Sequence, residues 1–165
     1  MLANELMIDA FERIKEVVHN TVKGLSEEQL TNRISDDANT IAWLVWHLTR
    51  VQDDHIADVA ETEQVWTKGW SEKFNLPFDR SETGYSQSTE EVGQVKASSE
   101  MLLAYYDEVH EATIRYLKQL KEEDYQKIVD ARWQPPVTLA VRLVSVITDD
   151  LQHAGQAAYV RGLIA

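Results

Sequence analysis

Thr148-Asp149-Asp150-Leu151-Gln152-His153-Ala154-Gly155-Gln156 lies late in a long, otherwise apolar stretch with helical spacing. Asp149 and His153 are four residues apart, so a helix stacks them on one face. The same face carries Leu139, Val146, Ala157 and Val160, which are residues of core type. A carboxylate and an imidazole among such neighbours are costly unless something satisfies them. A divalent metal satisfies both, and an inward-facing histidine of another helix can supply a third donor. His47, in Ala42-Trp43-Leu44-Val45-Trp46-His47-Leu48, is the natural candidate. Bundle cores are where facing helices build such sites.

Working outward, the chain divides into four long amphipathic segments. The first is expected from about Leu2 to Lys23, with Leu6, Ala10, Phe11, Ile14, Val17, Val18 and Val22 at helical spacing and Gly24 as its stop. Ser26 and Gln29 have the capping-box pattern of one short turn. The second long helix is expected to start near residues 37–39 and to end at about Ala60. Residues 61–88 form a polar connection that holds Trp66, Trp70, Phe74, Phe78 and Tyr85. Aromatics on so long a connection point to a segment that packs over something. Ser88-Thr89-Glu90-Glu91 predicts another short capped turn. The third long helix is expected over 99–121. Residues 122–134 read as a polar connection, with weak support for a strand at 126–133. Pro136 is placed at the first turn of the last helix, which is expected to run from Val137 to Arg161 and stop at Gly162. The expectation is an all-α four-helix bundle, one domain over residues 1–165, with a long connection between helices two and three.

Composition narrows the functions open to such a fold. The 165 residues carry 28 acidic and 16 basic side chains, a net charge of −12. An acidic surface with no Lys/Arg cluster repels phosphate backbones and anionic membranes, so neither nucleic acid nor membrane is an expected partner. No stretch approaches the roughly 18 apolar residues of a spanning helix. The N-terminal stretch lacks the apolar core of a signal peptide, and the expected location is the cytoplasm. There is no cysteine. Disulfides, thiolate–metal sites and a cysteine nucleophile are thereby excluded. The chain also lacks the nucleophile-elbow, P-loop, dinucleotide-binding and H-E-x-x-H patterns.

Two imidazoles and one carboxylate suit zinc, nickel or ferrous iron. Three protein donors leave positions for water or substrate, which is the arrangement of a catalytic site. The competing readings are plain. A lone histidine on an apolar face is more often a hydrogen-bonded core residue, and a D-x-x-x-H pair arises on helices by chance. Asp150, three residues before His153, is an alternative to Asp149, although Asp149 aligns better with the Val146 row. Asp54, seven residues after His47, is a candidate second acceptor for a ligand histidine or else a surface charge. Arg142 either meets an anionic substrate group or snorkels. His19, His55 and His110 read as surface or helix-edge residues. Gln156 either bonds near the site or packs.

Trp43-Leu44-Val45-Trp46-His47-Leu48, followed about a hundred residues later by Asp149-x-Leu151-Gln152-His153-Ala154-Gly155-Gln156, resembles the DinB-like superfamily. That group includes YfiT-type proteins and mycothiol-dependent maleylpyruvate isomerase. Leu76-Pro77-Phe78-Asp79, Thr83-Gly84-Tyr85 and Thr89-Glu90-Glu91-Val92 resemble its actinobacterial mycothiol-transferase branch. The resemblance implies a divalent metal on His47, Asp149 and His153, with Asp149 where the family commonly has His and sometimes Glu. It also implies a low-molecular-weight thiol, mycothiol or bacillithiol, activated by the metal and transferred to a small electrophile. That implication agrees with a cysteine-free chain, whose reactive sulfur must come from a cosubstrate. The alternatives are a non-catalytic metal- or ligand-binding bundle linked to stress and a metal-dependent hydrolase with Asp54 or Asp150 as base. A homodimer is the expected assembly.

Overall fold

The computed structural model describes residues 2–165 and is mostly helical; Met1, the first residue of the expected domain, lies outside the described residues. In chain order the helices are α1 (Ala3–Val22), α2 (Glu27–Leu30), α3 (Ile41–Ala60), α4 (Ser71–Phe74), α5 (Thr89–Val92), α6 (Ser99–Leu117) and α7 (Leu139–Ile164). A π-helical turn, Trp66–Trp70, precedes α4, and a 3-10 turn, Glu122–Gln126, follows α6. The four long helices close a ring: α1 and α3 each pack on both α6 and α7. Among the described residues no helix is long and apolar enough to cross a membrane.

Each long helix follows from its pattern. In α1, Phe11, Ile14, Val18 and Val22 form a buried stripe at steps of three and four. Gly24 then takes a positive φ of 79° and turns the chain away. The start of α3 is different, because every residue from Ile41 to Asp53 is buried. A helix buried all round must be covered all round. The α6 and α7 helices cover α3 from within the ring, and parts of the connection 61–88 cover it from outside. Trp66 packs on Trp46 and Tyr105, and Phe78 packs on Trp46. Fully burying one such side chain stabilises the fold by about 1.5–3 kcal/mol.

The boundaries depart from expectation in four places, each for a local reason. The α3 helix begins at Ile41 because the Thr40 hydroxyl accepts the Trp43 N–H and caps it. The α6 helix ends at Leu117, and its expected last residues enter the turn before the 3-10 segment. Pro136 is not in a helix. Residues Ile128–Asp130 form strand β1, Val137–Thr138 form strand β2, and the two pair antiparallel, with both prolines in the connection between them. The α7 helix starts two residues later than expected, at Leu139, where the Thr138 hydroxyl accepts the Val141 N–H. At its other end Gly162 does not take the left-handed conformation that follows α1, and the helix continues to Ile164. The capping boxes at Ser26/Gln29 and Ser88/Glu91 form as expected.

Candidate metal centre

The second turn of α3 and the middle of α7 meet at His47, Asp149 and His153. One donor atom from each lies within 4.8 Å of the others, and among the described residues this is the one group of that kind. Helix spacing accounts for the pair on α7, where His153 Nε2 is 3.7 Å from Asp149 Oδ1. The contact between α3 and α7 brings His47 to them, with its ring centroid 4.8 Å from that of His153.

The ring nitrogens facing away from the centre are engaged. His47 Nδ1 is 2.6 Å from the Thr83 carbonyl oxygen and must donate to it. His153 Nδ1 is 2.8 Å from Gln156 Oε1. Each bond assigns the proton to Nδ1 and leaves the Nε2 lone pair for the centre. His47 is 2% exposed, and burial is the largest effect holding its pKa below the ordinary value. The neighbouring His153 lowers it further, while the Thr83 hydrogen bond and Asp149 oppose the shift. A neutral imidazole is the form that can bind a cation.

The donor set fits a divalent ion on a further ground. Asp149 Oδ2 is buried and has no hydrogen-bond partner. A buried carboxylate oxygen left bare is expensive, and a cation is the partner that would relieve it. In a tetrahedral site, donors about 2.0–2.2 Å from one ion stand about 3.3–3.6 Å apart. Three donors within 4.8 Å of one another would draw together by up to about 1.5 Å on binding. The centre opens to solvent on the α7 side, where the His153 and Asp149 side chains keep 14% and 24% of their surface.

Two walls frame it. Trp43, one turn before His47, stacks on the His47 ring at 4.6 Å and meets His153 edge-on. Its indole N–H donates to Gln87 Oε1. Tyr85 sets its ring edge-on to His47 at 5.1 Å and remains 56% exposed. Burial and nearby carboxylates push the Tyr85 phenol above its usual pKa, so it is a proton donor and not a base. Between Thr83 and Tyr85, Gly84 has φ of 105°, and a Cβ there would fall 2.5 Å from His47 Nδ1. The close approach of this loop to the imidazole requires glycine.

Asp149 is the carboxylate of the cluster, and Asp150 is not. Asp150 points away into the core, 0% exposed, with neither oxygen hydrogen-bonded. Burial, then the charge of Asp149, raises its pKa well above the usual carboxylate range, which favours the neutral acid. Asp54 supports no histidine of the centre and instead accepts from Gln64. Arg142 is committed to His55 and Asp130 and is not free for an anion. His110, expected near the surface, is 2% exposed. Of the aromatic connection, only its end at Thr83–Tyr85 touches the centre; Trp66, Trp70 and Phe74 pack instead around Tyr105. Thr83 and Gly84 were legible as a family mark, but no spacing rule ties them to His47.

A family model described as Mycothiol-S-transferase matches residues 6–165. A crystal structure of a conserved protein from Enterococcus faecalis superposes with a TM-score of 0.92 at 32% identity, covering 99% of this chain and 98% of that one. No match was found among curated proteins.

Proposed function

The chain belongs to the mycothiol-S-transferase family, and we propose that it joins a low-molecular-weight thiol, mycothiol or bacillithiol, to a small electrophile at a divalent metal held by His47, Asp149 and His153. The observation that carries this reading is the grouping of two imidazoles with the Asp149 carboxylate, one oxygen of which is buried without a partner. We read the ring of α1, α3, α6 and α7 as a four-helix bundle of the DinB type, one domain throughout. Its thiol chemistry suits the reducing cytoplasm.

Zinc, nickel or iron bound there would supply positive charge that favours a thiolate over a thiol. The chain's own residues do the rest. Thr83 and Gln156 hold the two imidazoles with Nε2 inward. Asp149 offsets part of the cation's charge. Trp43 and Tyr85 wall the centre and limit water, which strengthens each electrostatic contact inside. The Tyr85 phenol, still protonated, can donate to an oxygen or leaving atom at the mouth. In the reaction a sulfur–carbon bond forms, the leaving group departs with its electron pair, and the thiol proton passes to solvent.

The test uses protein loaded in turn with zinc, nickel or ferrous ion, given mycothiol or bacillithiol and a chloro-dinitrobenzene. A thioether product is expected, together with its loss in His153→Ala. Turnover no higher than that of His153→Ala with every metal and both thiols overturns the reading.

A further inference from the structure

A cavity walled by aromatic rings lies outside the metal centre. The chain makes it by doubling back. The α4 helix ends at Asn75, whose φ of 47° is left-handed. The residues after it return to α3, where Phe78 packs on Trp46 with ring centroids 6.0 Å apart. Trp66 meets the same indole edge-on at 6.3 Å. Between these three rings and a rim of Glu72, Asp79 and Arg80 lies a cavity of about 240 Å³. An apolar cavity of about 150 Å³ already holds benzene, so this one has room for a six-membered ring with a substituent. Trp46 and His47 are consecutive on α3 and therefore point about 100° apart. No residue of the metal centre lines the cavity.

Trp46 also carries an unmet hydrogen bond. Trp43 donates to Gln87, Trp66 to the Arg80 carbonyl and Trp70 to Glu108, while Trp133 is exposed to solvent. Trp46 is 1% exposed, and its indole N–H has no partner among the described residues. A buried donor left bare is costly, and buried indoles ordinarily find an acceptor. The rim sets the charge of whatever supplies one. Arg80 pairs with Glu72 at 3.1 Å, which leaves Asp79 as the uncompensated charge. The Ser81 hydroxyl and N–H donate to Asp79 Oδ1 and hold its carboxyl below the usual pKa, so it is ionised at neutral pH. An anionic acceptor is repelled by this rim and by the net charge of −12.

We propose that the cavity between Trp46, Trp66 and Phe78 is a second ligand site, which takes an uncharged single-ring molecule bearing a carbonyl or ring-nitrogen acceptor. The ring of the ligand packs among the three aromatic side chains, as in small-molecule sites that are mostly apolar with a few placed polar groups. Its acceptor takes the Trp46 N–H, the one buried polar group of the walls that the chain leaves open. The Asp79 rim keeps carboxylates and phosphates out. An ammonium is admitted by the rim but offers the indole no acceptor. The site is independent of the metal and of the thiol.

Three probes of one shape test this on the full chain: benzamide, benzoate and benzylamine. Heteronuclear NMR resolves the indole N–H signals. The Trp46 signal is expected to move downfield and saturate at millimolar benzamide, while the Trp43 signal beside the metal centre stays in place. Benzoate and benzylamine should each bind about tenfold more weakly, one repelled and the other lacking an acceptor. Phe78 is half-buried and lies outside the four long helices, so Phe78→Ala removes a wall without unmaking the bundle. Calorimetry should show benzamide affinity about tenfold lower in that variant, with an unchanged circular dichroism spectrum. A Trp46 signal that benzamide does not move overturns the site. So does benzoate or benzylamine binding as tightly as benzamide, or benzamide affinity unchanged in folded Phe78→Ala.

Discussion

Asp53 and Asp149 are both carboxylates set among helices, and their surroundings are opposite. Asp53, on α3, is saturated. Its Oδ1 accepts the Val65 N–H at 2.8 Å, and its Oδ2 accepts the Trp66 N–H at 2.8 Å and the Tyr105 hydroxyl at 2.9 Å. Arg50, one turn away and 0% exposed, is the nearby counter-charge; it donates to Glu82 O and Gln64 Oε1 and lies 4.8 Å from the Trp66 ring centroid. Asp149 has one bare oxygen and a histidine at 3.7 Å from the other. A polar group whose every valence is met by its own chain has a structural role. One that is buried and left open waits for something the chain does not contain. The two centres are also coupled. Arg50 ties down Glu82, the residue before Thr83, so the closed centre clamps the loop that orients His47 for the open one.

The same substitution at both positions tests this contrast most severely. In Asp53→Asn, either placement of the amide sets an NH2 group against a backbone N–H, from Val65 or Trp66, and Arg50 loses its counter-charge. The loss of unfolding free energy is expected to be about 3 kcal/mol, read from urea denaturation of metal-free protein. Asp149→Asn removes no hydrogen bond. Metal-free Asp149→Asn is expected to unfold within about 0.5 kcal/mol of wild type, while elemental analysis shows its metal content falling towards zero. Equal destabilisation in the two variants would erase the distinction between a closed and an open centre.

The next effect lies where the centres join. Gly84→Ala places a Cβ 2.5 Å from His47 Nδ1 at a φ of 105°. Strain of this kind costs about 1–3 kcal/mol. The loop relieves it by withdrawing from the imidazole, so the Thr83 hydrogen bond weakens. Titration with zinc should show weaker binding at Gly84→Ala, and a melt of metal-free protein should show a lower Tm. An unchanged zinc affinity would mean that Thr83 does not orient His47.

How much of this was legible in sequence depends on how far apart the cooperating residues are. Asp149 and His153 are read directly, because a helix converts a four-residue spacing into a shared face. His47 was legible because an imidazole among Trp43, Leu44 and Leu48 has to find a partner. The choice of Asp149 over Asp150 needed coordinates, since both spacings reach His153 and only the packing of α7 decides which carboxylate meets His47. The Arg50–Asp53 centre went unread. Its partners are backbone amides of Val65 and Trp66 and the carbonyl of Glu82, groups every residue possesses and no pattern marks. The β1–β2 hairpin was half-read for a similar reason. A two-residue strand such as Val137–Thr138 is too short to show alternation, and Pro136 carries the same signal in a turn as at a helix start. His110 was misplaced because its charged sequence neighbours point to solvent while it turns towards Tyr106 and Glu12.

The smallest expected effect concerns Gln156. Its Oε1 takes the His153 Nδ1 proton, yet the residue is exposed and touches neither Asp149 nor His47 among the assigned bonds. Gln156→Ala removes an orienting partner and leaves all three donors in place. Groups that orient ligand histidines are worth about 10–100-fold in metal affinity, and solvent can replace an exposed amide in part, so the expected loss is about tenfold. Gln156→Glu should restore or exceed wild-type affinity, because a carboxylate accepts the same proton more strongly and raises the basicity of Nε2. Competition with a chromophoric zinc chelator measures all three proteins on one scale. If alanine and glutamate weaken binding alike, the amide acts through packing, and His153 is oriented by the helix alone.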